Sequence, residues 1–320
     1  MMDKGFTEFV DEPATNGSGH RGLISTTLHD FAKASLPIRE KIISPIIPSK
    51  GIVMMYAARG VGKTHVAFGT AYAASSGGSF LRWHAPKARR TLYVDGEMPG
   101  PALQERVQSV MASASIHPPE PGYFRLLSMD MQALGASLNL ANPEDQRRIE
   151  DQLQGAEFLV LDNLSTLVNG GRENDADSWD SMQAWLLQLR RQNVTTLLVH
   201  HAGRGDNARG TSKREDVLDT CVWLKRPDDY EIEEGARFEV HLTKARGVYG
   251  EDALPFEARL NLVGQVGHWD IRVIRDKVLD DVERLTREGL AVRDIAEELS
   301  LSKSKVNRIQ GKLRAEGRLA

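Results

Sequence analysis

Residues 56 to 66 read "YAARGVGKTHV". Spaced glycines followed by a lysine and a threonine are what a loop needs to wrap phosphate oxygens. Gly60 and Gly62 free the backbone to turn its amides inward, Lys63 carries an ammonium to the β and γ phosphates, and Thr64 offers a hydroxyl to Mg²⁺. Ala58, Arg59, Gly60, Val61, Gly62, Lys63, Thr64 and His65 therefore form a candidate cradle, with ATP and Mg²⁺ as the expected ligands. Ala57 stands where the first glycine of such a loop is expected. That position only opens the turn, so a methyl group is expected to be tolerated there. "FLVLDN", residues 158 to 163, is an apolar run ending in Asp162, the form of a carboxylate that holds a Mg²⁺ shell. Glu97 in "LYVDGEMP" follows another apolar run and can face a γ-phosphate, where a carboxylate activates water. The plain alternative is a solvated turn residue beside Asp95. His200 and His201 end the run "LLVHH" and are expected to include a γ-phosphate sensor; no other His or Cys nearby has ligand spacing for a metal.

Such groups converge only if their loops meet at one edge of a sheet. The apolar stretch Ile52 to Tyr56 precedes the cradle, and a small-residue helix, "HVAFGTAYAASSGG", follows it and points its positive dipole end at the phosphates. The runs "TLYVDG", "YFRLLS", "EFLVLDN" and "VTTLLVHH" are separated by stretches with helical spacing at 64 to 76, 101 to 113, 143 to 154 and 177 to 192. This alternation predicts a parallel sheet with helices on both faces. Past His201 the rhythm changes to "DTCVWLKRP", "RFEVHLTKAR", "PFEARLNLV" and "GHWDIRVI", consecutive strands that predict an antiparallel extension.

The chain has 320 residues, 41% hydrophobic and 27% charged, the composition of a soluble globular protein with room for a large domain and a smaller one. A net charge of -3 excludes a basic nucleic-acid coat. Cys221 is the only cysteine, which excludes an internal disulfide or a Cys-based zinc cluster and fits a reducing compartment, so a cytoplasmic location is expected. The first 22 residues are polar and read as a flexible tail without an apolar leader. No apolar run approaches the ~20 residues of a membrane span, so no membrane partner is expected.

The last forty residues have the form of a helix-turn-helix. Val292, Ile295, Ala296 and Leu299 line one helix face, "SLS" makes the turn, and Val306, Ile309 and Leu313 line the next helix. Ser302 is the expected N-cap. Lys303, Ser304, Lys305, Asn307 and Arg308 then fall where a recognition helix meets the major groove, against the alternative of a helical docking bundle. The module resembles resolvase-type and winged-helix units. The expected division is a tail at 1–22, an ATPase domain at 23–274 and a DNA-binding domain at 275–320.

The order of Ala57 to Thr64, Glu97, Asp162, His200 with His201, and then "TKARG" resembles the RecA-like hexameric ATPases, most closely the RepA-type plasmid replicative helicases, over about residues 35 to 270. The resemblance implies an α/β fold of the RecA-like P-loop NTPase class, Glu97 as the base, and a sensor role for His200 and His201. It also implies a cation acting on a neighbouring subunit's nucleotide. "NARGTS" would make that Arg209; "LTKARG", like the Lys-x-Arg of DnaB-type helicases, would make it Lys244 with Arg246, which a strand holds more rigidly. Two pore loops would be residues 169 to 178 and 202 to 215, the second carrying Arg204, Arg209, Lys213 and Arg214 for phosphate contacts. The first is mostly acidic and lacks aromatic residues for base stacking. The expected function is an ATP-hydrolysing homo-oligomeric motor, a ring of six acting on DNA with other replication proteins as partners, in a plasmid, phage or other mobile element. The alternative is an ATP-switched DNA-binding regulator or helicase loader.

Overall fold

The computed structural model describes residues 23–168, 176–202, 216–264, 266–274 and 277–319. A short helix, α1 (Leu28–Lys33), is capped by the Thr27 side chain and followed by a small hairpin of β1 (Lys41–Ile43) and β2 (Ile47–Pro48). β3 (Ile52–Ala57) is buried along its whole length and runs into the cradle and then α2 (Lys63–Ser76). A second small hairpin pairs β4 (Ser79–Phe80) with β5 (Trp83–His84). Then come β6 (Thr91–Asp95), α3 (Gly100–Ser113), β7 (Phe124–Ser128), α4 (Pro143–Leu153), β8 (Phe158–Asp162), α5 (Leu164–Leu167), α6 (Ala176–Arg191) and β9 (Thr195–His201). The strands β10 (Thr220–Lys225), β11 (Arg237–Ala245), β12 (Phe256–Val263) and β13 (Val266–Val273) follow, and three helices, α7 (Lys277–Arg287), α8 (Val292–Glu298) and α9 (Lys303–Ala315), end the chain.

Nine strands form one sheet in the order β13-β12-β11-β10-β3-β9-β8-β6-β7. From β10 to β7 every pairing is parallel; from β10 to β13 every pairing is antiparallel. The α/β fold with an antiparallel extension is therefore the observed one. One strand, β9, lies between β3 and β8, and so separates the strand that leads to Lys63 from the strand that ends in Asp162.

Alternation along the strands divides the core into two layers. Val53, Met55 and Ala57 face α2 with Val66, Phe68, Tyr93, Val160 and Val199, whereas Ile52, Met54 and Tyr56 face α6 with Met182, Trp185, Leu189 and Leu198. α2 is buried nearly all round, which explains its run of small residues where an amphipathic stripe would be usual. The β12–β13 hairpin folds back over that layer: the Gly267 N–H donates to Ser113 Oγ of α3 (2.7 Å), and Trp269 packs edge-on against Phe80.

The last three helices share an apolar cluster of Leu279, Val282, Leu285, Ile295, Ala296, Val306 and Leu313. Ser302 caps α9 as expected, its hydroxyl accepting from the Lys305 N–H (3.2 Å), an arrangement that stabilises a helix by about 1 kcal/mol. Gln310 donates to Thr286 (2.8 Å), and Arg318 binds Asp280 (2.8 Å) and Glu283, so that arginine fastens the cluster to itself. Among the described residues no helix is long and apolar enough to cross a membrane.

Candidate active site

The C-terminal ends of β3, β9, β8 and β6 lie side by side, and the polar groups they carry line one cleft of about 440 Å³ bounded by Gly60, Gly62, Lys63, Thr64, His65, Glu97, Arg106, Asn163, His201 and Ala236. Ala57 is still strand: it is fully buried, its methyl packs among the apolar side chains facing α2, and its carbonyl accepts from the Ala202 N–H (2.8 Å). The departure from glycine therefore falls outside the tight part of the loop. Gly60 at φ 74° and Gly62 at φ 122° are where the backbone leaves ordinary conformations, and these are the positions that hold glycine.

Lys63, only 6% exposed, turns its ammonium back onto the carbonyls of Ala57 (3.2 Å) and Ala58 (2.9 Å). Burial pushes its pKa down to about 8, against the pull of Asp162 and Glu97. Asp162 is buried at the end of β8; the Tyr93 hydroxyl donates to its Oδ2 (2.6 Å) and Thr64 also hydrogen-bonds to it. Burial raises the Asp162 pKa despite those bonds. Asp95 sits directly across from Asp162 in the β6–β8 register, also buried, and burial lifts it to about 6. Its Oδ1 accepts from the N–H groups of Met98 (2.8 Å) and Glu97 (3.3 Å); its Oδ2 is buried with no hydrogen-bond partner among the described residues. The Glu97 carboxylate is half-exposed to the cleft, accepts from the Asn163 side-chain amide, and lies 3.8 Å from His201 Nε2.

The structure thus brings Lys63, Thr64, His65, Glu97, Asp162 and His201 together. His200 is different. It pairs with Tyr56 in register, on the sheet face that packs against α6, and is completely buried there. Neighbours on a strand point to opposite faces, so a tandem pair can put only one imidazole in the cleft, and the expected sensor narrows to His201. His65 lines the cleft with its imidazole edge-on to Trp269, and burial drives its pKa down to about 4, so it is neutral near pH 7.

Lys244 and Arg246 lie at the other end of the sheet. Ala245 pairs with Thr220, and Thr220 with Val53. At least five residues of strand, ~16 Å at ~3.3 Å each, therefore separate Arg246 from the start of the cradle in the same subunit. The Arg246 backbone N–H donates to the Asp219 carbonyl (3.0 Å) and its guanidinium to that of Asp216 (3.3 Å). Residues 169–175 and 203–215, with Arg204, Arg209, Lys213 and Arg214, lie outside the described residues. On α9, Lys303, Ser304, Lys305, Asn307 and Arg308 are all exposed, while Val306, Gln310 and Leu313 turn inward.

Several groups escaped sequence reasoning. Arg106 on α3 reaches the cleft floor, where the carboxylates of Asp162 and Asp95 support its charge against burial. Arg226 donates to the Gly60 carbonyl (3.2 Å) and stacks 4.6 Å from the Tyr230 ring, beside the cradle. Only the phase of α3 within the fold would have placed Arg106, since nine residues separate it from Glu97 in the chain.

The donor set suits Mg²⁺. The Thr64 hydroxyl and the Asp162 carboxylate offer hard oxygen atoms of the kind that ion takes. Among the described residues no group of three or more His, Cys, Asp or Glu is placed to hold a metal ion.

Residues 20–207, more than half of the chain, match the family model described as an AAA domain. A comparison with curated proteins finds no match. Among solved structures, the chain is similar to a KaiC-like protein from the hyperthermophilic archaeon Pyrococcus horikoshii OT3, at 17% identity over 74% of this chain and 99% of that one, with a TM-score of 0.49. The glycine-framed Lys63 and Thr64, the buried Asp162 beside them and the match over residues 20–207 lead to one assignment: this chain belongs to the AAA domain family and is a P-loop ATPase.

Proposed function

We propose that the protein is an ATP-hydrolysing homo-oligomeric motor acting on DNA, with Glu97 as the base for the attacking water. The observation that carries this reading is the convergence of Lys63, Thr64, Asp162, Glu97 and His201 at the ends of adjacent parallel strands. Lys63 would leave the Ala57 and Ala58 carbonyls for the β and γ phosphates, and Gly60 to Gly62 would turn their amides to the same oxygens. Mg²⁺, held through Thr64 and the Asp162 carboxylate, would neutralise charge on the β and γ phosphate oxygens. Glu97, steadied by Asn163, would orient a water and take its proton, and His201 at 3.8 Å would couple the presence of the γ-phosphate to β9 and the chain beyond it.

An oligomer is part of the same reading. Arg246 cannot serve its own nucleotide from the far end of the sheet, so Lys244 and Arg246 are assigned to a neighbour's site in a ring of six, ahead of Arg209. The exposed basic side of α9 supports duplex contact by residues 275–320 acting as a helix-turn-helix unit. Replication of a mobile element, with other replication proteins as partners, is the setting that the resemblance to RepA-type helicases favours. The same α9 surface also favours a second reading, an ATP-switched regulator or helicase loader that holds one duplex site.

The deciding experiment compares strand displacement on a forked duplex with retention of duplex DNA, using the parent and Glu97→Gln. Displacement that needs ATP and is lost in the variant supports the motor. ATP-dependent retention without displacement supports the regulator. A Glu97→Gln variant that hydrolyses ATP at the parental rate removes Glu97 as the base.

A further inference from the structure

Besides Thr91, whose hydroxyl donates to the Arg89 carbonyl (3.1 Å), β6 carries two buried polar side chains that neither the cradle nor the water-activating group accounts for. Tyr93 is fully buried among aromatic neighbours, its ring 5.1 Å from Phe68 and 6.4 Å from Phe124. Phenylalanine would serve that packing equally well. The hydroxyl has one evident use: it donates to Asp162 Oδ2 at 2.6 Å. A carboxylate rotates easily about its last torsion, and a fixed donor to one oxygen settles which way the other points. Two residues on, and on the same face, Asp95 spans the turn at 96–98 from beneath, accepting from both Glu97 and Met98 N–H groups. The Gly96 N–H donates to the Asp162 carbonyl (2.8 Å), which ties that turn to β8. One strand thus bonds to the Asp162 carboxylate and to the backbone that carries Glu97.

We propose that Tyr93 and Asp95 are positioning residues: the Tyr93 hydroxyl orients the Asp162 carboxylate toward the metal position, and Asp95 holds the turn that presents Glu97 to the γ-phosphate. This rests on the assignments of Asp162 and Glu97 made above. It separates two effects on the same cleft. Loss of the Tyr93 hydroxyl disturbs metal dependence, whereas loss of the Asp95 acceptor disturbs turnover.

The test uses the full chain, a fluorescent ATP analogue titrated with and without Mg²⁺, and steady-state hydrolysis. Tyr93→Phe should raise the Mg²⁺ concentration needed for half-maximal tight nucleotide binding by about tenfold, the scale of one hydrogen bond to a charged group, while metal-free nucleotide affinity stays within about twofold. Asp95→Ala should lower kcat by about tenfold with ATP affinity nearly unchanged, and Asp95→Asn should restore kcat to within about threefold, because its side-chain carbonyl accepts the same two bonds. Asp95→Leu, which fills the space without an acceptor, takes the place of the alanine variant if the latter does not fold. An unmoved Mg²⁺ midpoint in Tyr93→Phe overturns the first half. Parental kcat in the Ala or Leu variant, or an Asn variant as slow as they are, overturns the second. Glu97→Gln is measured alongside: parental turnover in that variant alone breaks the base assignment, and it leaves the Tyr93 result standing.

Discussion

Lys63 makes the nucleotide-free protein less stable than it would be with an apolar residue at that position, and the cost can be worked from its surroundings. Burial lowers its pKa from the ordinary 10.5 to about 8, a difference of 2.5 units, or about 3 kcal/mol at 1.36 kcal/mol per unit. Below pH 8 the ammonium is charged in folded and unfolded chains alike and the whole cost is present. Between pH 8 and 10.5 the unfolded chain binds more protons than the folded one, so stability rises with pH across that window. Lys63→Met removes the charge and nearly fills the same space. The Ala57 carbonyl keeps its bond from Ala202, and loss of the donor to Ala58 takes back about 1 kcal/mol. The variant without nucleotide should therefore be about 2 kcal/mol more stable at pH 7, a Tm higher by roughly 3 °C for a chain of this size. By pH 9 that advantage should shrink by about 1 kcal/mol. ATP at a hundred times its Kd should stabilise the parent by ~2.7 kcal/mol and the variant hardly at all, so the order of stability reverses on adding ATP. Scanning calorimetry at both pH values, with and without ATP, reads all of this. A nucleotide-free variant less stable than the parent at pH 7, or an advantage that does not narrow at pH 9, refutes the reasoning.

Ala57→Gly should leave hydrolysis within about tenfold of the parent but lower stability by about 1–2 kcal/mol, because it removes a buried methyl and loosens a strand end; urea melts and steady-state rates check it. Arg246→Ala should keep nucleotide binding by isolated subunits while lowering hydrolysis, and mixing it with Glu97→Gln subunits should recover activity at interfaces that pair an intact Glu97 with an intact Arg246. No recovery despite proven co-assembly counts against action across an interface and turns attention to Arg209. The Lys305→Ala, Arg308→Ala double variant should weaken duplex binding for all sequences and reduce the slope of log affinity against log salt by about 2. An unchanged slope makes the last three helices a docking unit.

What was legible in the sequence was what neighbouring residues dictate. The helix pattern at 64 to 76 becomes α2 at Lys63–Ser76, and Ser302 caps α9, because caps, breakers and side-chain periodicity act over a few residues. The two small hairpins at 41–48 and 79–84 were not legible: their strands are two or three residues long, too short for any periodicity, and "SPIIPSK" reads as plain turns. Alternation along β9 was available in the sequence and already forbade both His200 and His201 from entering one cleft. Strand order was not available. Tyr93 meets Asp162 across 69 residues of chain because β8 pairs with β6, and Arg106 lines the cleft within the field of both carboxylates because α3 packs on that face. The motif therefore announces the groups that handle phosphate, each read from a short stretch, while the groups that aim them depend on the order in which β3, β9, β8 and β6 lie. A substitution that spares every motif residue but shifts β6 against β8 by one position would turn Tyr93 and Asp95 to the other face, and by this argument it would disable the cleft as surely as the loss of Lys63.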